Sequence, residues 1–189
     1  MDSAAVLTLY RQSGALLDGH FKLSSGLHSP GYLQSALVLQ HPAHAEALGQ
    51  ALAGRLRALE PTVVLSPAMG GLIIGHEVGR ALGLRAIFVE RVDGTMTLRR
   101  GFALRPTDRV VVIEDVVTTG LSTRETIAAV EAAGASVVGA GAIIDRSNGT
   151  ADLTVPFHAL VSLNLATYQP DACPMCAAGQ AVTKPGSRG

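Results

Sequence analysis

The stretch Val110-Val111-Val112-Ile113-Glu114-Asp115-Val116-Val117-Thr118-Thr119-Gly120-Leu121-Ser122 constrains this chain more than any other. Four β-branched residues in a row suit a strand covered on both faces, as in a parallel sheet. In open sheets of that kind ligands bind beyond the carboxyl ends of the strands. Two consecutive acids at that end are therefore placed to accept hydrogen bonds from the vicinal hydroxyls of a sugar. Thr118, Thr119, Gly120 and Ser122 follow, just ahead of a helical stretch over residues 123–133, whose N-terminal N–H groups and dipole attract an anion. Strand, acid pair and turn together describe a phosphate-ribose site. The plainer alternative is an ordinary strand-to-helix turn with solvated acids and a hydroxyl cap.

Other apolar runs repeat this theme. Residues 62–65, 86–89, 137–144 and 158–163 read as short strands, like 110–113, and residues 72–82 carry helical spacing between two of them. Residues 4–12 and 43–59 also have a helical pattern, the second starting just after Pro42, with an extended segment between them. Strands alternating with helices argue for a parallel, doubly wound sheet. The 189 residues, 48% hydrophobic and 16% charged, fit one compact α/β domain. Lys plus Arg and Asp plus Glu each total 15, so the basic face that nucleic-acid binding requires is not expected. No apolar stretch approaches the length of a membrane span, and the start lacks a basic region followed by a long apolar core. A soluble cytoplasmic protein with neither nucleic-acid nor membrane partner is the expectation.

Two further segments have the composition of ligand sites. Ser66-Pro67-Ala68-Met69-Gly70-Gly71 follows a strand and opens a helix. Its glycines permit close backbone approach to an anion at the helix N-terminus; alternatively they only let that helix pack on the sheet. Ile143-Ile144-Asp145-Arg146 ends another strand, where Arg146 can clamp a carboxylate bidentately or form a solvated pair with Asp145. No Gly-x-x-x-x-Gly-Lys-Ser/Thr occurs, and no Gly-x-Gly-x-x-Gly opens a helix after the first strand, which removes the P-loop and dinucleotide readings.

The acid pair and its turn resemble the phosphoribosyl-pyrophosphate signature of the type I phosphoribosyltransferases. The resemblance covers roughly residues 18 to 150. It implies that family's α/β fold, a mainly parallel twisted sheet flanked by helices, with an N-terminal hood over about residues 1–40. Residues 1–172 would be the single phosphoribosyltransferase domain and 173–189 a tail. In site terms, it implies Glu114 and Asp115 on the ribose 2′ and 3′ hydroxyls. Val116, Val117, Thr118, Thr119, Gly120, Leu121 and Ser122 would belong to the sugar-phosphate turn, with the 5′-phosphate on 118–122. Ala68, Met69, Gly70 and Gly71 would bind the pyrophosphate, and Mg²⁺ would enter with it.

The segment Phe21-Lys22-Leu23-Ser24-Ser25-Gly26-Leu27-His28-Ser29-Pro30-Gly31-Tyr32 is similar to that of the orotate-using branch of the family, which carries Phe-x-Leu-x-Ser-Gly-x-x-Ser-Pro-x-aromatic. A dianionic pyrimidine needs hydroxyl and backbone donors and an aromatic face, and Ser25, Gly26 and Tyr32 can supply them; Phe21 and Leu23 read as packing. The branch further implies Arg146 on the orotate carboxylate, Thr118 beside the base, an enzyme of pyrimidine nucleotide synthesis and a homodimer. A purine-using transferase of the same fold, or a non-catalytic sensor of the sugar phosphate, are the other readings.

The loop over residues 90–104 departs from the family pattern. It stands where many members keep a mobile catalytic loop with lysines and a histidine, yet it has neither, and the chain holds only Lys22 and Lys184. Ser24 likewise stands where many relatives carry a lysine. Charge for catalysis would come from Arg91, Arg99 or Arg100, which neutralise pyrophosphate without donating a proton readily, in a loop completing the neighbouring subunit's site. The alternative is a hairpin turning at Asp93-Gly94 with solvated arginines. Cys173-Pro174-Met175-Cys176 is half of a four-ligand zinc site or a pair of reduced cysteines in a tail whose last residues, 177–189, are rich in Gly, Pro and Ser and expected to be mobile. His41, His44 and Glu46 read as a solvated helix start.

Overall fold

The computed structural model describes residues 1–23 and 25–185. Ser24 and residues 186–189, the end of the expected tail, lie outside them. In chain order the elements are α1 (Ser3–Gln12), β1 (Leu16–Lys22), β2 (His28–Leu33), α2 (Ser35–Leu39), α3 (Pro42–Leu56), β3 (Val63–Pro67), α4 (Gly71–Leu82), β4 (Arg85–Val92), β5 (Thr95–Leu98), β6 (Arg109–Val117), α5 (Leu121–Ala132), β7 (Ser136–Asp145), β8 (Phe157–Ser162) and α6 (Pro174–Ala177). One sheet runs β5-β4-β3-β6-β7-β8. Its strands are parallel except β5, which pairs antiparallel with β4. β1 and β2 form a separate antiparallel pair.

Side-chain alternation along the central strands builds two apolar layers. Val64, Val111 and Ile113 join a core with Leu48, Leu52 and Leu56 of α3 and Ile74 and Val78 of α4. Their neighbours Val63, Leu65 and Val110 pack with Val130 of α5, and Val112 with Ile127 of the same helix. The run 110–113 thus buries both faces, as its uniform β-branched composition requires. Buried positions on α3 are Ala45, Leu48, Gly49, Leu52, Ala53 and Leu56, a stripe of helical period that made this element readable. Pro42 opens α3, where its missing N–H costs nothing.

Helices α3 and α4 approach closely because Gly49 has no side chain. A Cβ there would lie 2.5 Å from Glu77 Cβ and 2.9 Å from Glu77 C. The second atom is backbone, so the helices themselves must separate to admit a methyl group. Gly49→Ala should lower the unfolding free energy by about 1–3 kcal/mol, read as a reduced urea midpoint at unchanged slope; an unchanged midpoint would show that the helices part freely.

The 90–104 segment includes the hairpin turn expected at Asp93-Gly94: β4 and β5 are joined by Asp93 (φ 49°) and Gly94 (φ 85°), a two-residue turn whose positive dihedrals match the twist of the flanking strands. Two elements depart from the sequence expectation. α2, five residues long, is too short to show a periodic pattern. The segment 173–185 does not trail away as a mobile tail. α6 is followed by a chain that returns to the hood, where Lys22 N donates to Thr183 O at 2.8 Å and Thr183 N to His20 O at 2.9 Å.

Candidate active site

The acids at the end of β6 point to opposite faces, as neighbours on a strand must. Glu114 lies on the α5 side, where Ser122 Oγ donates to its Oε1 at 2.6 Å. Asp115 lies on the other, hydrogen-bonded to Ser35, whose Oγ is 3.1 Å from the Tyr10 hydroxyl. Burial raises the pKa of both carboxyls: Asp115 above its usual value, and Glu114 from 4.5 to about 7 despite the Ser122 bond, which opposes the rise. Such burial favours the protonated form, and a ligand that supplies donors or a cation favours the ionised one.

The glycine loop meets this pair directly. A Cβ on Gly70 would stand 2.6 Å from Asp115 Oδ1, and one on Gly71 would stand 2.7 Å from the Ile113 carbonyl oxygen. Gly70 therefore admits the acid against the loop backbone, whereas Gly71 lets the start of α4 rest on β6. The packing reading of these glycines holds at Gly71, while at Gly70 the close approach seen is to an acid of the same chain. Met69, beside Ala68 in the same loop, is 83% exposed. On the other side of the acids, Thr118, Thr119 and Gly120 (φ 75°) turn into α5. Arg124 Nη1 donates to the Thr119 carbonyl at 2.9 Å and braces that turn. Helix α5 begins at Leu121, two residues ahead of the expected start, so Ser122 is in its first turn.

Strand register explains the next juxtaposition. Val116 and Val117 of β6 lie opposite Ile144 and Asp145 of β7, and Arg146 N donates to Val117 O at 2.7 Å. Thr118 and Arg146 are thereby neighbours although 28 residues separate them in the chain. Asp145 does not pair with Arg146: its Oδ1 accepts from Ser147 N at 2.8 Å, and it shapes the turn. The solvated Asp-Arg reading is set aside. Arg146 Nε is buried without a hydrogen-bond partner among the described residues, and burial lowers the pKa of its guanidinium.

Above these strand ends, beneath the β1–β2 pair, opens a cavity of about 770 Å³, within the range that holds a small-molecule substrate. Ser25, Tyr32, Thr118 and Arg146 all line it, so four of the five residues expected at the base gather in one place. Gly26 is not among its lining residues; its N–H closes a turn onto Leu23 O at 2.9 Å. Leu23, expected only to pack, lines the cavity, while Phe21 packs against Tyr32 with ring centroids 5.9 Å apart. Lys22 and Lys184 line the cavity too. Sequence reasoning missed both, because only the fold brings residues 22 and 184 together. Lys184 was hidden in a segment whose composition reads as a tail.

The loop arginines go elsewhere. Arg91 pairs with Glu125 of α5 and donates to Gly94 O. Arg100 grips Glu90 through Nε and Nη2 at 2.9 and 2.8 Å. Arg99 is exposed and makes no ion pair among the described residues. None of the three lines the cavity of its own chain.

Residues 35–164 match the phosphoribosyl transferase domain family. The chain is similar to the orotate phosphoribosyltransferase of Rhizorhabdus wittichii, 56% identical over 191 residues and spanning 100% of this chain and 97% of that one. It is 53% identical over 190 residues to the orotate phosphoribosyltransferase of Heliobacterium modesticaldum, spanning all of both chains. Among solved structures, orotate phosphoribosyltransferase from Aeropyrum pernix superposes with a TM-score of 0.67 at 26% identity, covering 84% of this chain and 93% of that one.

Proposed function

This chain belongs to the orotate phosphoribosyltransferase family and so transfers a phosphoribosyl group from phosphoribosyl pyrophosphate to orotate in pyrimidine synthesis; we propose which of its residues carry the transfer. The observation that carries the assignment of the base is the buried, unpartnered Arg146 Nε beside a cavity of substrate size. A guanidinium left without a partner is costly in the free protein, and a planar carboxylate restores its lost bonds in a fork geometry. Tyr32 offers an aromatic face to the ring, Ser25 and Thr118 offer hydroxyls, and Lys22 and Lys184 add positive charge in place of the lysine many relatives carry at the Ser24 position.

The remaining parts divide by chemistry. The turn 118–122 at the start of α5 takes the 5′-phosphate, and Ala68, Met69, Gly70 and Gly71 at the start of α4 take the pyrophosphate, both using N-terminal helix polarity. Glu114 and Asp115 bracket the end of β6 and accept from the ribose hydroxyls. Their hard carboxylate oxygens, one of them against the Gly70 backbone, would help indirectly to hold Mg²⁺ brought in by phosphoribosyl pyrophosphate. The chemistry it would supply when bound is neutralisation of charge on the departing pyrophosphate. A ring nitrogen of orotate then forms its bond to the anomeric carbon as the carbon–oxygen bond to pyrophosphate breaks. Preorganised charge around a cationic ribosyl centre is the main source of rate.

Arg91, Arg99 and Arg100 act across a homodimer in this reading, the β4–β5 arm reaching a neighbour's site. Their surface positions away from their own cavity support it. The described residues include no helix long and apolar enough to cross a membrane, in keeping with a cytoplasmic enzyme.

Purified protein incubated with phosphoribosyl pyrophosphate and Mg²⁺ should consume orotate, read as loss of its ultraviolet absorbance. Parallel reactions with hypoxanthine, adenine and uracil should show no turnover. Consumption of a purine in preference would overturn the Arg146 assignment and leave the sugar-phosphate site intact.

A further inference from the structure

A second constellation lies in the hood, built from the two ends of the chain. His20 of β1, His28 at the start of β2, and Cys173 and Cys176 flanking the start of α6 bring four ligand atoms within 4.8 Å of one another. His20 Nε2 lies 2.9 Å from His28 Nδ1, 3.5 Å from Cys173 Sγ and 3.7 Å from Cys176 Sγ. Cys176 Sγ lies 3.3 Å from His28 Nδ1. Zinc bound tetrahedrally at usual bond lengths has nitrogen–sulfur edges of about 3.6 Å and a nitrogen–nitrogen edge of about 3.3 Å, so these three nitrogen–sulfur distances are close to it, the imidazoles must part and the remaining edges, all within 4.8 Å, must draw in.

The surroundings favour a metal over the alternatives. His20 Nδ1 is 2.9 Å from the Gln180 carbonyl oxygen; as the donor to it, Nδ1 carries the proton and Nε2 presents its lone pair to the cluster, the kind of outer bond that orients metal-binding histidines. Two imidazole nitrogens and two sulfurs suit zinc, whereas Mg²⁺ or Ca²⁺ would need oxygens. Cys173 is buried and Cys176 exposed, so accessibility alone would allow a redox pair; what distinguishes a metal site is the pair of imidazole nitrogens standing against both sulfurs.

The hood also needs a fastening. A two-stranded hairpin is marginal alone, and the C-terminal segment crosses it mainly through backbone bonds, including the reciprocal pair between His28 and Tyr168 at 2.9 Å each way. Lys22 follows His20 by two residues, and Lys184 directly follows Thr183, which is bonded to His20 O. Whatever holds His20 against Cys173 and Cys176 thus holds one wall of the cavity.

We propose that His20 Nε2, His28 Nδ1, Cys173 Sγ and Cys176 Sγ bind one structural Zn²⁺ that joins the C-terminal segment to the hood. Binding releases the two thiol protons and leaves both sulfurs as thiolates. The site is separate from the substrate cavity and does not depend on which base is transferred.

The test uses untagged wild-type protein purified in reductant without chelators, with zinc measured by plasma mass spectrometry. One zinc per chain is expected, and Cys173→Ser/Cys176→Ser should lower it at least about tenfold. Because that variant can also misfold, the wild type is stripped and reloaded with Co²⁺. Intense visible ligand-field bands and a thiolate charge-transfer band should appear and shift in His20→Asn. A weak octahedral Co²⁺ spectrum, zinc content well below one per reduced chain after exposure to equimolar Zn²⁺, or full zinc retention by the double variant would each overturn the proposal.

Discussion

Arg146→Ala is expected to lower kcat/KM for orotate by about a hundredfold or more, roughly 3 kcal/mol of binding, the scale of a charge-assisted bidentate contact. The loss falls on the KM for orotate, while the KM for phosphoribosyl pyrophosphate stays near its original value, because the sugar-phosphate turn and the glycine loop lie on other strand ends. Arg146→Lys does not restore activity, since an ammonium cannot present the same planar fork. Stability should move the other way. The guanidinium is partly buried with Nε unsatisfied, so its removal leaves the free protein as stable as before or more so, the trade expected where a group is kept for ligand binding. Steady-state kinetics in both substrates and urea unfolding of the free variant decide the matter. A drop in kcat/KM of less than about threefold, or an equal loss for both substrates, would sink the carboxylate assignment.

Glu114→Gln tests the acid pair through pH. In the free protein Glu114 is protonated below about 7 because burial outweighs the Ser122 bond; ribose hydroxyls and Mg²⁺ favour its ionised form. Binding of phosphoribosyl pyrophosphate should therefore release a proton and tighten as pH rises through about 7. The ligand's own phosphates titrate near about 6 and contribute equally to both proteins, so the informative quantity is the difference between wild type and variant. The variant should bind weakly and lose the excess pH dependence.

Linkage gives a second readout with a definite sign. The folded pKa is raised above the unfolded one, so the contribution of Glu114 to stability is fully present below 4.5 and is lost as pH rises to about 7. About 3 kcal/mol is at stake over that window, at about 1.4 kcal/mol per unit. Glu114→Gln should flatten that decline. Calorimetry in buffers of different ionisation enthalpy counts the released proton; identical proton release in wild type and variant would contradict the assignment.

Much of the site was legible because it is local. Residues 110–122 hold a strand, two acids and a turn in consecutive order, and a strand buried on both faces can hardly be composed differently. The glycine loop and the Arg146 strand end were legible for the same reason. The hairpin at Asp93-Gly94 was equally readable, but the pairing of Arg91 and Arg100 with acids of their own chain was not, because Glu125 lies on a separate helix and Glu90 meets Arg100 only across the folded hairpin. Gly26 was misplaced because a motif does not say whether a backbone N–H faces a ligand or closes a turn.

What the sequence by itself determined is the set of parts and the order of strands and helices, since hydrophobic period and turn chemistry act over a few residues. Tertiary structure alone decided which distant parts meet. Register between β6 and β7 set Thr118 beside Arg146, and strand alternation turned Glu114 and Asp115 to opposite faces. The return of the C-terminal segment carried Lys184 to Lys22 and the cysteine pair to His20 and His28. Such meetings depend on backbone pairing and packing between segments as much as 163 residues apart, and no local pattern encodes them.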